Sequence, residues 1–222
     1  MDTLQQFDAS IFSAINGLHG TYFDSFMWLV TKIETWIPMI LMLLYLLYFK
    51  KGWRRTITML LVIGLVILIA DRVSAGIIKP WVERARPSHN PDLASTIHIV
   101  NGYRGGAFGF VSSHAANCYG IAFILAMIFK NRAFTWTMVV WATLMCYSRI
   151  YLGVHYPGDI FCGSILGFLA AWLIYRLLKW FSTKHPLWGN IEFSHGEVNQ
   201  MIYAAVINIT LLAVWALFLT TT

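Results

Sequence analysis

The sequence predicts an all-α fold: a polytopic membrane helix bundle of about six transmembrane helices, preceded by an N-terminal interfacial helix. Two observations carry this prediction. Of the 222 residues, 58% are hydrophobic and 12% charged, whereas soluble domains carry about 25% charged residues; the mean hydropathy is +0.63. The apolar residues also gather in runs close to the roughly 20 that a helix needs to cross a bilayer core. This composition excludes intrinsic disorder, a collagen-like repeat and a disulfide-rich secreted module.

The elements follow in chain order. Segment 5–20 is apolar at Phe7, Ile11, Phe12, Ile15 and Leu18, one face of a helix lying in the membrane interface. Six spans are expected at 26–49, 56–78, 114–130, 133–151, 159–181 and 201–220. The last contains Asn208, which leaves it open between a span and an interfacial helix. Residues 79–112 form the longest non-helical stretch, and 182–200 are polar enough for a loop. No internal repeat appears, so residues 1–222 read as one integral membrane domain. The first 20 residues hold no Lys or Arg and lack the basic start of a secretory signal, so the first apolar helix is expected to remain as an anchor. Cys118, Cys146 and Cys162 lie in apolar stretches and read as buried free thiols.

Charge orients the bundle. The formal net charge is +6, but the basic residues collect in short loops, which argues against a nucleic-acid partner. Lys50, Lys51, Arg54, Arg55, Lys130, Arg132, Arg176, Lys179 and Lys184 fall in loops on one side, the expected cytoplasmic side. Loops 79–112 and 152–158 then share the outer side with both termini. Lys79, Arg84, Arg86, Arg104 and Arg149 lie there against the topology rule, which points to another job.

The two outer segments carry chemistry. Lys79, Arg86 and Arg149, the Ser112-Ser113-His114 run, and His155 with Asp159 four residues on all sit at helix ends of one membrane face. Each type suits a phosphate. Lysine is a compact charge, and arginine forks grip two oxygens. Ser112 stands where a helix begins, with the first free N–H groups at Ser113 and His114 available to an anion. Two histidines beside such a site divide into a nucleophile and a proton donor. A carboxylate one helical turn after His155 can fix its tautomer.

Lys79 with six residues before Arg86-Pro87, then Ser112-Ser113-His114, then Ser148-Arg149 with five residues before His155 and three before Asp159, resembles the three-part signature of the type 2 phosphatidic acid phosphatase family. That family shares its active-site design with vanadium haloperoxidases. The resemblance covers roughly residues 56–180. It departs in one place: Val111 and Ser113 stand where the central motif usually has Pro and Gly. The resemblance implies that Lys79, Arg86 and Arg149 hold the phosphoryl oxygens, aided by the Ser112 hydroxyl and the Ser113 N–H. It implies that His155 attacks phosphorus, Asp159 orients it, and His114 protonates the leaving oxygen and then activates water. It implies no metal and no cofactor, three fixed cations taking the place of a metal. The expected partners are a lipid phosphate substrate and the bilayer.

Several residues are expected to play bland parts. Arg84 reads as a cation at the lipid surface, and Arg104 stays open between that and a headgroup contact. Gly102, Gly105, Gly106 and Gly109 lack the Walker pattern and read as a lid or a packed turn. Asp71 and Arg72 read as a structural ion pair or a snorkelling pair. His89 and His98 lack metal-ligand spacing. The function expected is a metal-independent lipid phosphatase of a bacterial inner membrane, its site facing the periplasm. Undecaprenyl diphosphate ranks first as substrate and lipid A second, with phosphatidylglycerol phosphate and phosphatidic acid behind. An anion transporter and a haloperoxidase are the competing classes.

Overall fold

The computed structural model describes residues 3–221; residues 1, 2 and 222, and with them the chain ends, lie outside the described residues. Among the described residues regular structure is helical, apart from one isolated bridge between Ala85 and Phe108. Helix α1 (Thr3–Asn16) matches the expected interfacial segment, burying Phe12 while Leu4 and Phe7 stay exposed.

The expected first span, 26–49, is broken. Helix α2 (Thr21–Thr31) stops at Lys32, whose backbone is extended. A tight turn, Ile33–Trp36, restarts the chain into α3 (Ile37–Tyr45), which a π-helical turn prolongs over Leu46–Lys51. The freed carbonyls find donors. Thr35 Oγ1 donates to the Leu29 and Lys32 carbonyls at 2.9 and 2.7 Å, and Trp36 Nε1 donates to that of Val30 at 2.9 Å. From the far end of the chain, Asn208 Nδ2 donates to the Thr35 carbonyl at 2.8 Å. Protein groups thus satisfy the backbone that the break opens, while the charged Lys32 and Glu34 stay exposed. Asn208 is therefore buried, its Nδ2 spent on this turn, and lies in a helix long and apolar enough to span.

Helix α4 (Trp53–Val73) continues through a π-helical turn at Ser74–Ile78 into α5 (Lys79–Val82). Then come α6 (Ser113–Phe129), α7 (Arg132–Tyr151), α8 (Pro157–Lys184), the short α9 (Pro186–Gly189) and α10 (His195–Thr221). The expected loop at 182–200 thus contains α9, and α10 starts earlier than the expected 201. Four segments are long and apolar enough to cross a bilayer: Ile33–Lys51, Trp53–Val82, Pro157–Lys184 and His195–Thr220. Helix α6 is apolar but shorter, at 17 residues, and α7 is not among the four. Leu61, Leu65, Ile165, Leu169 and Trp172 face outward, exposed. An apolar surface that extensive belongs in lipid; the chain is a multi-pass membrane protein. Asp71 and Arg72 are both exposed, and among the described residues no ion pair joins them.

Helix α6 packs against α4, α7 and α8. Its crossing with α8 is close because small residues line it. A Cβ on Gly163 of α8 would lie 2.6 Å from the Ser112 carbonyl oxygen, and one on Gly167 of α8 would lie 2.7 Å from the Gly120 nitrogen of α6. The close crossing brings the two helix starts together, and Ser112 N donates to the Asp159 carbonyl at 3.0 Å.

Candidate active site

Two chain segments build the site at one end of the bundle. The first leaves α5 at Glu83, a left-handed residue with φ 50°. Residues 84–86 then run beside 107–109: Gly109 N donates to the Arg84 carbonyl at 2.8 Å, and Arg86 N to that of Ala107 at 3.3 Å. Side chains alternate along an extended chain, so Arg84 and Arg86 leave on one side, toward the start of α8. Gly105, with φ 68°, lays its backbone on the Arg86 guanidinium, where a Cβ would come 3.0 Å from Nη1. The glycine-rich stretch is here a packed turn. Lys79 Nζ donates to the carbonyls of Gly109 (3.1 Å) and Val111 (2.8 Å), tying α5 to the end of this loop.

The second segment joins α7 to α8. Gly153 has φ 79°, and a Cβ there would lie 2.9 Å from the His98 carbonyl oxygen, so only glycine fits the turn. Val154 N folds back to the Arg149 carbonyl at 3.1 Å. His155 follows, then Tyr156, and Pro157 opens α8 where a missing N–H costs nothing. Asp159 Oδ2 accepts from the Tyr156 N–H at 3.0 Å, capping the helix.

These segments fix His155 from both sides. Its Nε2 lies 3.0 Å from Arg86 Nη1 and its Nδ1 3.2 Å from Asp159 Oδ2. Arginine only donates, so Nε2 is the acceptor and Nδ1–H donates to the carboxylate. The nitrogen that turns from Asp159 therefore keeps a lone pair. The ring is buried. Burial, reinforced by the charges of Arg86, Arg149, Lys79 and Arg84, holds the imidazole pKa well below its ordinary value. His155 is accordingly a neutral base at neutral pH.

The cations around it are crowded. Arg86 Nη1 also donates to the Val154 carbonyl at 3.1 Å. Arg149 donates to Thr31 Oγ1 at 2.8 Å and to Tyr103 OH at 3.1 Å. Burial and then the Arg149 charge lower the pKa of Arg86. Burial would raise that of Tyr103, but the charge and hydrogen bond of Arg149 outweigh it and leave it lowered. Arg86 Nε, Arg149 Nε and His114 Nε2 are buried with no hydrogen-bond partner among the described residues. Unspent buried nitrogens in a positive field suit an anion with several oxygens.

Ser112 is the N-cap of α6, its Oγ accepting from Ala115 N at 3.2 Å. This leaves its hydroxyl hydrogen for another acceptor. Ser113 Oγ accepts from Ser74 Oγ at 2.9 Å, tying α6 to the π-helical turn before Lys79. His114 follows in the first turn of α6. Lys79, Arg86, Ser112, Ser113, His114, His155 and Asp159 are thus connected through the Val111–Ser112 backbone, the Ser112–Asp159 bond and the Arg86–His155 contact, and Arg149 joins them through its carbonyl, which accepts from Val154 N beside His155.

Other expectations need correction. Arg84 is no lipid-surface cation: Nη1 donates to Asp159 Oδ1 at 2.9 Å and Nη2 to Asp8 Oδ2 at 2.7 Å. Its spacing from Arg86 sets the side on which it leaves the extended chain, not the partner that it meets. Arg104 Nη1 donates to the Ser88 carbonyl at 3.0 Å and Ser88 Oγ donates back to the Arg104 carbonyl at 2.7 Å, a staple within the loop. His98 Nε2 pairs with Asp24 at 2.9 Å and its ring stacks on His19 at 4.1 Å. That network joins the α1–α2 turn to the loop. The supporting groups Thr31 and Tyr103 had no pattern in the sequence to mark them.

Residues 55–182 match the PAP2 superfamily. A Bacteroides thetaiotaomicron protein named Lipid A 4'-phosphatase is 39% identical over 79% of this chain and 78% of its own length. A Porphyromonas gingivalis protein of the same name is 34% identical over 80% of this chain and 75% of its own length. Among solved structures, a transmembrane PAP2-type phosphatidylglycerolphosphate phosphatase from Bacillus subtilis superposes with a TM-score of 0.58 and 25% identity. That likeness covers 83% of this chain and 89% of the other.

Proposed function

The chain belongs to the PAP2 superfamily, and from that premise we propose that it removes a phosphate ester from lipid A at the outer face of a bacterial inner membrane, through a phosphohistidine. It is a membrane lipid phosphatase. The observation that carries the mechanism is the neutral His155, its Nδ1–H on Asp159 and its Nε2 lone pair beside Arg86.

Nε2 of His155 attacks phosphorus in line; the N–P bond forms as the P–O bond to the sugar breaks. Lys79, Arg86 and Arg149 neutralise the phosphoryl oxygens, and the Ser112 hydroxyl and the Ser113 N–H donate to them. Arg86 Nη1 must then shift from the imidazole to an oxygen, so substrate binding itself uncovers the nucleophile. His114, which takes up a proton as the anionic phosphate enters the positive field beside it, protonates the leaving oxygen. It next takes a proton from water, which attacks the phosphohistidine and releases phosphate. Positioning and charge stabilisation supply the acceleration. Asp159 stabilises the imidazolium that forms in the first step.

The sequence alone favours undecaprenyl diphosphate over lipid A; the two relatives named for lipid A support lipid A instead. An apolar cleft of about 810 Å³, lined by Leu4, Phe7, Val82, Phe110 and Phe161, opens beside Arg84 and suits acyl chains. Residues 79–112 then form the active-site loop on the outer side of a single domain. Impermeant labels on Lys50→Cys and Ser95→Cys should report opposite sides of the membrane. The deciding experiment measures phosphate release from lipid A, undecaprenyl diphosphate and phosphatidic acid, with His155→Ala as control. Faster turnover of undecaprenyl diphosphate overturns the substrate assignment. Wild-type turnover by His155→Ala overturns the mechanism.

A further inference from the structure

We propose that Arg84 and Asp8 are positioning residues for phosphoryl transfer, forming with Asp159 a carboxylate–guanidinium–carboxylate relay that runs from the interfacial helix α1 to His155. The inference rests on the reading of His155 as nucleophile.

The contacts are short and enclosed. Arg84 divides its fork, Nη1 to Asp159 Oδ1 at 2.9 Å and Nη2 to Asp8 Oδ2 at 2.7 Å. Its guanidinium also lies over the Tyr156 ring at 4.2 Å. The second Asp8 oxygen accepts from Gly158 N at 2.7 Å, at the first turn of α8. Phe12, one turn further along α1, is buried edge-on against Tyr156 with ring centroids 5.5 Å apart. So α1 is docked on the helix start that carries the nucleophile.

Two physical reasons make this more than docking. Asp159 is fully buried, and a buried carboxylate needs a paired cation to stay ionised. Among the described residues Arg84 is the one Lys or Arg in ion-pair contact with it. By holding Oδ1, Arg84 leaves Oδ2 to face His155 Nδ1. The second reason is charge balance. An Arg84–Asp159 pair alone would be neutral and would offer little to the cation that forms on His155 as phosphorus is attacked. With Asp8 the group carries a net charge of minus one. Asp8 thus restores the negative potential that Arg84 cancels, while Arg84 keeps Asp159 in place.

The test uses the full-length protein in detergent with dioctanoyl phosphatidic acid as probe. Arg84→Ala should lower kcat about 10–100-fold, the cost typical of losing a partner one bond removed from a working group, with a smaller effect on KM, because Arg84 borders the apolar cleft but holds none of the phosphoryl oxygens. Arg84→Lys should recover part of the loss. Asp8→Asn, which keeps its shape and loses its charge, should lower kcat about tenfold and covers the case in which Arg84→Ala does not fold. In an Asp159→Asn background, Arg84→Ala should cost less than about threefold, since residues acting as one unit are not additive. Wild-type kcat in both Arg84→Ala and Asp8→Asn overturns the relay, as does an undiminished Arg84→Ala loss in that background. His155→Ala run in parallel separates the two ideas: if it is active, the nucleophile reading fails; if it is dead while the Arg84 and Asp8 variants are normal, only the relay fails.

Discussion

Asp159→Asn exchanges one carboxylate oxygen for an amide and changes almost no volume, yet it should nearly silence the enzyme. The carboxylate receives three donors: Arg84 Nη1 at 2.9 Å, Tyr156 N at 3.0 Å and His155 Nδ1 at 3.2 Å. An amide has one acceptor oxygen. If that oxygen faces Arg84, the NH2 group faces the Tyr156 N–H and the imidazole. The ring can accommodate it only by moving its proton from Nδ1 to Nε2. Nε2–H would then confront Arg86 Nη1 at 3.0 Å, donor against donor, and the attacking lone pair would be gone. If the oxygen faces His155 instead, the NH2 opposes Arg84, and the buried site has still lost its negative charge. Removing the corresponding carboxylate from other histidine-based sites costs about 10⁴ in kcat through the wrong tautomer, and here about 10³–10⁴ is expected, or about 4–5.5 kcal/mol of transition-state stabilisation. The assay is steady-state phosphate release from lipid A, with thermal unfolding in detergent confirming the folded state. A folded Asp159→Asn protein with kcat within tenfold of wild type would refute the tautomer reasoning.

Arg86→Lys should lower kcat/KM about 100-fold, since one lysine nitrogen cannot both make the His155 and Val154 contacts of Nη1 and supply the unspent Nε; phosphate-release kinetics checks it. The pH dependence follows from the depressed His155 pKa. The folded protein holds fewer protons on this ring than the unfolded chain does, so its stability is intact above an unfolded pKa of about 6.5 and falls as pH drops below it. The unfolding midpoint of the wild type should therefore fall more between pH 7.5 and 5 than that of His155→Gln, and parallel curves would contradict this. Gly163→Val places side-chain atoms against the Ser112 carbonyl, so it should destabilise by about 1–3 kcal/mol and reduce kcat by separating the starts of α6 and α8; unfolding and turnover are read together. Excess EDTA should leave turnover on lipid A unchanged, and a loss restored by a divalent cation would require a revised mechanism.

Much of the site was legible because its residues lie in short stretches with fixed register. Lys79 and Arg86 flank a single turn, and His155 and Asp159 share the entry to α8, where Pro157 and an acidic third position mark a helix start. The helical, one-sided character of α1 was legible from its period. Other features depend on contacts between distant parts of the chain. Arg84 and Asp8 are 76 residues apart, and nothing local tells an arginine bound for lipid from one bound for two carboxylates. The break at Lys32 is hidden for a similar reason. The apolar runs on either side make the Lys32–Thr35 stretch read as a brief polar interruption of one span, and one of the donors that hold the turn is Asn208 near the other end of the chain. The substrate ranking was not legible, because the cations recognise a phosphate whatever it is attached to.

Asp159 performs two tasks with a single oxygen: it closes the first turn of α8 and accepts the imidazole proton. Folding and the choice of tautomer are consequently a single event. Any polypeptide that succeeds in starting this helix has already placed the His155 proton on Nδ1, and no further proton movement is needed once the bundle is complete. The same economy removes freedom: a lineage cannot retune the basicity of that ring through its carboxylate without also loosening the scaffold beneath it.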